Sequence, residues 1–274
     1  MLGTFPDPAK AEGIEVEALV KMFAAAPAEF AAAADFKCQS FGTITAFVIS
    51  SMPTPVFNRA QRTGALEPED RDIDAAVAWM REHASPSWSL QMPESAPDRS
   101  EHLARLGLAP STSWTKFARS TDDPPAASTE LEVRAVGEDG AADFGSVTQA
   151  AFGLPPAFAQ WSTAMIGPTG FTHYVAYQGS TPVAAASLYV SGDIGWLGNG
   201  CCLPAYRRSG AQSALLARRI ADAAKAGVTT VVTETGTPPP GELANHPSYR
   251  NITRSGFKPI YQRIIWRPAL QPSQ

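Results

Sequence analysis

The sequence predicts an α/β (α+β) protein built as two related domains in tandem, residues 1–125 and 131–274. Three observations lead there. Segments with strand-like alternation and segments with apolar residues at helical spacing follow one another along the whole chain. Residues 120–130, STDDPPAASTE, form a polar stretch with prolines that reads as a linker. Finally, ARLGLAP at 104–110 is echoed by TRSGFKP at 253–259. Arg105, Gly107, Leu108 and Pro110 match Arg254, Gly256, Phe257 and Pro259, each set a helix end followed by a strand near the close of its half.

In the first half, residues 14–34 are an Ala-rich helical stretch interrupted near Pro27. Phe41 to Ile49 alternates as a strand, and PTPVFNR (53–59) reads as a loop. Arg71 to His83 is helical, with Ile73, Val77 and Met80 on one face. A short strand (Ser87–Met92), a helix (Asp98–Leu106) stopped by Gly107 and a strand (Thr112–Arg119) complete the half.

The second half opens with a strand from Leu131, then helical material from about Glu138 to Met165, broken around Gly153-Leu-Pro-Pro. Phe171–Tyr177 and Pro182–Val190 are strands joined by a hairpin-like turn at Gly179. Ile194 to Cys202 is a third strand. After a loop of small residues comes a helix with Leu216, Ile220 and Ala223 on one face, stopped at Gly227. Val228–Glu234 is a strand, Asn245 is the N-cap of a last helix ending at Gly256, and Ile260–Trp266 is the final strand.

Composition narrows the class. The 274 residues are 44% apolar and 18% charged, as in a globular chain with a real core, and no apolar run is long enough to span a membrane. The N-terminus has no basic segment leading into an apolar one, so no signal peptide is expected. Three cysteines, Cys38, Cys201 and Cys202, do not make a disulfide framework, which suits a cytoplasmic setting. Four scattered histidines offer no metal-ligand spacing, and no metal is expected. Residues 1–130 carry 11 basic and 18 acidic side chains, and residues 131–274 carry 11 and 8. The second half therefore suits an anionic ligand, while the charge is too small and spread out for nucleic acid.

The loop before the long helix of the second half has a physical use. A helix N-terminus carries unsatisfied N–H groups and the positive end of the dipole, and small side chains let an anion reach them. Here Arg207 and Arg208 precede Ser209, Gly210 and Ala211. The Walker and dinucleotide glycine patterns are both absent. The bland alternative is an ordinary strand-to-helix turn with a solvated basic corner. The first half offers only Arg62-Thr63-Gly64-Ala65, followed by Glu67, Glu69, Asp70, Asp72 and Asp74, which already complement the dipole and repel an anion.

The stretch resembles the acyl-CoA motif of the GCN5-related N-acetyltransferases, Q/R-x-x-G-x-G/A: Arg207 stands first, Gly210 fourth, and Gln212 sixth where Gly or Ala is usual. Ser213-Ala214-Leu215-Leu216 fits the continuation. NHPSYRNITRSGF (245–257) resembles the family's last helix, with Asn245, Ser248, Gly256 and Phe257 in register. Many relatives carry a tyrosine four residues before that glycine, to protonate the leaving thiolate. Here Ile252 holds the position and Tyr249 lies one turn earlier.

The resemblance covers about residues 131–267. It implies tandem domains, each a mixed, mostly antiparallel sheet flanked by helices, the first a degenerate copy. It also implies an acetyl-CoA-dependent N-acetyltransferase that moves the acetyl group to an amine by direct attack. Cys201, Cys202 and Leu203 would hold the pantetheine arm and polarise the thioester, and Arg207 to Ser213, with Asn245 and Ser248, would complete the cofactor site. Each remaining candidate has two readings. Glu234 is a base or a strand-end carboxylate, and Tyr249 is an acid or a packing residue. Cys201 and Cys202 are buried small residues or nucleophiles. Asn58 and Arg59 face an acceptor or serve a turn. The rival function is a non-catalytic acyl-CoA-binding or interaction protein, kept open by Ile252. An aminoacyl-tRNA-dependent transferase is disfavoured by the acidic first half.

Overall fold

The computed structural model describes residues 6–64, 67–84, 87–94 and 98–269; Ala65 of the first-half loop candidate lies outside them. The chain forms two compact units. The N-terminal unit holds Asp7–Phe23, Ala28–Lys116 and the chain from Ile260; the C-terminal unit holds Ala24–Pro27 and Phe117–Pro259.

In the N-terminal unit, helices α1 (Pro8–Ala24) and α2 (Ala28–Ala34) break at Pro27, as the sequence predicts. The strand expected over 41–49 is half of a hairpin, β1 (Phe36–Phe41) and β2 (Ile44–Ile49), turned at Gly42 with φ +54. A strand not foreseen from the sequence, β3 (Arg59–Arg62), begins at the last residue of the predicted loop; its polar sequence RAQR hides it from pattern reading although all four residues are buried. α3 (Asp70–His83), β4 (Ser89–Pro93), α4 (Ser100–Arg105) and β5 (Leu108–Ser120) follow. The final strand, β11 (Lys258–Pro268), pairs antiparallel with β4 rather than closing the second half. The strand order in this unit is β1-β2-β3-β4-β11-β5.

One face of this sheet is dry. Ile44, Ala46, Val48, Ala60, Leu90 and Met92 pack with Ile73, Val77 and Met80 of α3 and Leu103 of α4. The opposite face is polar, and α1 lays Glu12 and Glu15 on it, both with 0% exposure. Arg263 donates to Glu12 at 2.9 Å and to Glu15 at 2.6 Å, Lys116 pairs with Glu15, and Arg59 stands 3.6 Å away. Burial alone pushes the Glu15 carboxyl up, but the three cations outweigh it and hold it well below its ordinary value.

In the C-terminal unit, β6 (Glu132–Val136), β7 (Phe171–Gln178), β8 (Thr181–Ser191) and β9 (Ile194–Cys202) pair antiparallel, and β9 pairs parallel with β10 (Thr230–Gly236). The order runs from the end of β5 as β5-β10-β9-β8-β7-β6. Each unit therefore has a mixed, mostly antiparallel sheet. Helices α5 (Ala141–Ala151) and α6 (Ala159–Ala164) lie on one side of the sheet. On the other, α7 (Ala211–Lys225) and α8 (Pro247–Arg254) bury Leu215, Leu216, Ile220 and Ile252 against Tyr174, Leu188, Leu197 and Val231. The stretch read as a linker is built into this unit. Thr121 donates its hydroxyl to the Val228 carbonyl at 2.6 Å, and Arg119 holds the carbonyls of Asp122 and Asp123.

Candidate functional site

β9 and β10 run together only at their beginnings. Their register covers Ile194, Gly195 and Trp196 against Thr230, Val231 and Val232, and Thr233 then donates its hydroxyl to the Leu197 carbonyl at 2.9 Å. Past that point β9 continues to Cys202 and β10 to Gly236 with no ladder between them. Unpaired strand edges present backbone donors and acceptors to whatever lies beside them. The cause of the parting is on β9: Ala185 pairs with Cys201 and Ser187 with Gly198, so Asn199 and Gly200 together oppose Ala186 in a β-bulge. Asn199 takes φ +53, a left-handed conformation that asparagine tolerates better than most residues.

Directly after β9 a short 3-10 turn (Pro204–Tyr206) leads into the small-residue loop. Arg208 has φ +70 and Gly210 φ +87, and α7 begins at Ala211. Left-handed residues spaced this way turn successive N–H groups to one side. The first bond of α7 runs from the Ala214 N–H to the Gly210 carbonyl at 3.0 Å, so the N–H groups of Ala211, Gln212 and Ser213 have no intrahelical acceptor. No acidic residue occupies the first turn. Arg207 and Arg208 are exposed beside it. The loop is held from behind: Ser209 donates its hydroxyl to the Tyr206 carbonyl at 2.7 Å, and Thr129 donates to the Ser209 carbonyl at 2.8 Å. A Cβ at Gly210 would meet the Thr129 Cβ at 3.1 Å. Gln212 does not fill the cradle, because its Oε1 accepts a hydrogen bond from Asn251 of α8 at 2.7 Å.

Glu234 sits on β10 beyond its last pairing with β9, and Cys201, Cys202 and Leu203 lie at the end of β9, where it has left β10 but still pairs with β8, all partly buried. The Leu203 N–H donates back to the Val183 carbonyl at 2.9 Å. Burial pushes the Cys201 thiol up to about 12, and burial also raises Cys202, so both are thiols at neutral pH rather than nucleophilic thiolates. Tyr249 shares a face of α8 with buried Ile252, and its ring meets Phe117 edge-on at 4.9 Å. Two expectations change. The N-cap of α8 is His246, not Asn245, which ends a short 3-10 turn; Asn245 and Ser248 are both exposed. Asn58, expected as an acceptor contact, is fully buried in the N-terminal unit, donating to the carbonyls of Met52 (2.6 Å) and Thr54 (3.1 Å) and accepting from the Ile49 N–H. Its amide stitches a turn. Among the described residues, no group of His, Cys, Asp and Glu is placed to hold a metal, and no helix is long and apolar enough to cross a membrane.

No protein-family model and no curated protein matches the chain. Solved structures do. A GCN5-related N-acetyltransferase from Sphaerobacter thermophilus superposes over 98% of this chain and 96% of its own, at 18% identity and a TM-score of 0.61. The fold is that of the GCN5-related N-acetyltransferases. A second such protein, from Kribbella flavida, covers 94% of this chain and 96% of its own at 15% identity and a TM-score of 0.61. A tandem GNAT protein from the clavulanic acid biosynthesis pathway covers 97% and 94% at 17% identity and a TM-score of 0.60.

Pattern reading missed four residues around this candidate site: Thr129, Asn199, Arg219 and Asn251. Only Asn199 left a local signal, two glycines flanking it inside a strand. The others matter through partners distant in sequence.

Proposed function

We propose that the protein is an acetyl-CoA-dependent N-acetyltransferase acting on an amine, with one working site per chain. The observation that carries this reading is the parting of β9 from β10 next to a left-handed loop whose helix start is free of acid. The N–H groups of Ala211, Gln212 and Ser213 would take the pyrophosphate, with Arg207, Arg208 and Ser209 beside it. The backbone from Cys201 to Leu203 would carry the pantetheine arm and polarise the thioester. The neutral amine attacks the acyl carbon, Glu234 takes its proton directly or through water, and Tyr249 returns one to the thiolate. The sequence halves 1–125 and 131–274 would be the two tandem copies, in a cytoplasmic protein. The acidic first turn of α3 would leave the first copy without an anion cradle.

Titration calorimetry of acetyl-CoA into the full chain tests the binding, and release of free thiol across a panel of amines tests the chemistry. One site per chain with amine-dependent thiol release is the expected result. A specific observation favours a second reading, a non-catalytic acyl-CoA-binding protein: Ile252, at the usual tyrosine position, is buried in the core. Binding without any amine-dependent thiol release would select it.

A further inference from the structure

The bulge on β9 is held from both faces of the sheet. On the α5 side, Ser187 is a hub. Its Oγ lies 2.9 Å from His173 Nδ1 and accepts from Asn199 Nδ2 at 3.2 Å, while His173 Nε2 lies 2.8 Å from the Met165 carbonyl. The carbonyl can only accept, so the His173 proton is on Nε2 and the Ser187 hydroxyl donates to Nδ1. On the α7 side stands Arg219, 3% exposed. Its Nη1 donates to the Ser187 carbonyl at 2.9 Å and the Gly198 carbonyl at 3.2 Å, and its Nε donates to the Leu215 carbonyl at 3.0 Å. Its Nη2 has no hydrogen bond among the described residues and would stand 3.8 Å from a Cβ placed on Gly200.

No carboxylate pairs with Arg219 among the described residues; its hydrogen-bond acceptors are all backbone carbonyls, and the titratable side chains that face it are those of Tyr174 and Cys201. Burial lowers its pKa to about 10, so it is still a cation at neutral pH. A buried cation without a counter-ion is costly and is retained where something uses its charge. The peptide bond is planar and trans, so turning the Gly198 carbonyl toward α7 turns the Asn199 N–H the opposite way.

We infer that Arg219 is the positioning residue of the thioester site: through the Gly198–Asn199 peptide that it clamps, it aims the donors and the positive potential of the bulge at the sulfur and carbonyl of bound acetyl-CoA. This rests on the acetyl-CoA reading above. The arginine fork is what lets one side chain hold the Ser187, Gly198 and Leu215 carbonyls at once.

The test uses coenzyme A itself, bound to the full chain, and follows thiolate absorbance with pH. In water a comparable thiol titrates near about 8.5. In the wild type the bound thiol should titrate below its value in solution. Arg219→Met should bind CoA within about threefold of wild type, because it leaves the loop at Ser209–Gln212 untouched, yet raise the bound thiol's pKa by about one unit or more. Arg219→Lys, which keeps the charge without the fork, should fall between them. Identical thiol pKa values in wild type and Arg219→Met overturn the inference, as does wild-type behaviour of Arg219→Lys if Arg219→Met does not fold. A wild type that binds no CoA removes the acetyl-CoA reading and this inference together, whereas binding with no change in thiol pKa removes the inference alone.

Discussion

The helix starts of α3 and α7 answer the same electrostatic problem in opposite ways. Both follow a short stretch with an arginine, a small hydroxyl residue and a glycine: Arg62-Thr63-Gly64 before α3, Arg208-Ser209-Gly210 before α7. At α3 the dipole is met from within the chain. Asp70 and Asp72 stand in the first turn, Arg99 pairs with Asp70, and Arg62 is tied to Glu67 at 2.9 Å. At α7 the first turn has no acid, and Arg207 and Arg208 point to solvent. Backbone geometry alone makes both helix starts potential anion sites; the side chains decide which remains open to one. The interiors differ too. The N-terminal unit encloses an ion-paired cluster around Glu15, whereas the C-terminal unit encloses Arg219, a cation with no carboxylate partner among the described residues, and the neutral His173.

The largest effect should come from breaking the Glu15 cluster. Glu15→Gln leaves Arg263, Lys116 and Arg59 short of a counter-charge, and urea denaturation should show a loss of about 3–5 kcal/mol. Because the folded Glu15 pKa is depressed, its contribution is present above the unfolded value, about 4.3, and disappears as pH falls further. The variant should therefore show a flatter acid limb; an unchanged limb would mean that the cluster does not control acid stability.

His173 sets a different window for the C-terminal unit. Burial lowers its pKa to about 4, against a donated hydrogen bond to Met165 that works the other way. Its contribution is full above the unfolded value of about 6.5 and drains away toward the folded value, costing about 3 kcal/mol in all. His173→Gln should remove that slope between about pH 6.5 and 4. A slope that persists assigns the loss to other groups.

Converting the open helix start into a closed one is the next sharpest comparison. Gly210→Glu places a carboxylate beside the free N–H groups and should cut acetyl-CoA affinity about a hundredfold, about 2.7 kcal/mol. The left-handed φ and the Thr129 contact mean that any side chain there strains the loop, so Gly210→Ala is the control for strain without charge. Equal losses in both would trace the effect to geometry alone. In the chemistry, Tyr249→Phe should lower kcat about a hundredfold with little change in acetyl-CoA affinity, and Glu234→Gln should remove the acidic limb of the pH–rate profile. Near-wild-type turnover would return either residue to packing. The smallest effect is expected at α3: Asp70→Asn with Asp72→Asn should leave one acetyl-CoA per chain by calorimetry, since Glu67 and Glu69 remain; a second site would break the contrast drawn between the two helices.

The elements around the candidate site were legible because their signals are local. Apolar spacing and the glycine at 227 located α7, the strand-like run at Ile194–Cys202 located β9, and the loop's small residues and missing acid marked its use. Tertiary structure decided the rest. β3 escapes notice in the sequence because Arg59, Gln61 and Arg62 are polar, and the burial of its two arginines becomes tolerable once Glu15 and Glu67 are brought against them. β11 follows the second half in sequence but pairs with β4, since a strand's neighbour is chosen by complementary edges far along the chain. In the same way, Asn251 draws Gln212 aside, Thr129 backs Ser209, and Arg219 clamps the bulge through the Gly198 carbonyl, 21 positions away. Periodicity in a sequence reports which face of an element is buried, because that depends on the residue spacing alone; which groups meet across that face depends on how elements dock, and no local pattern encodes it.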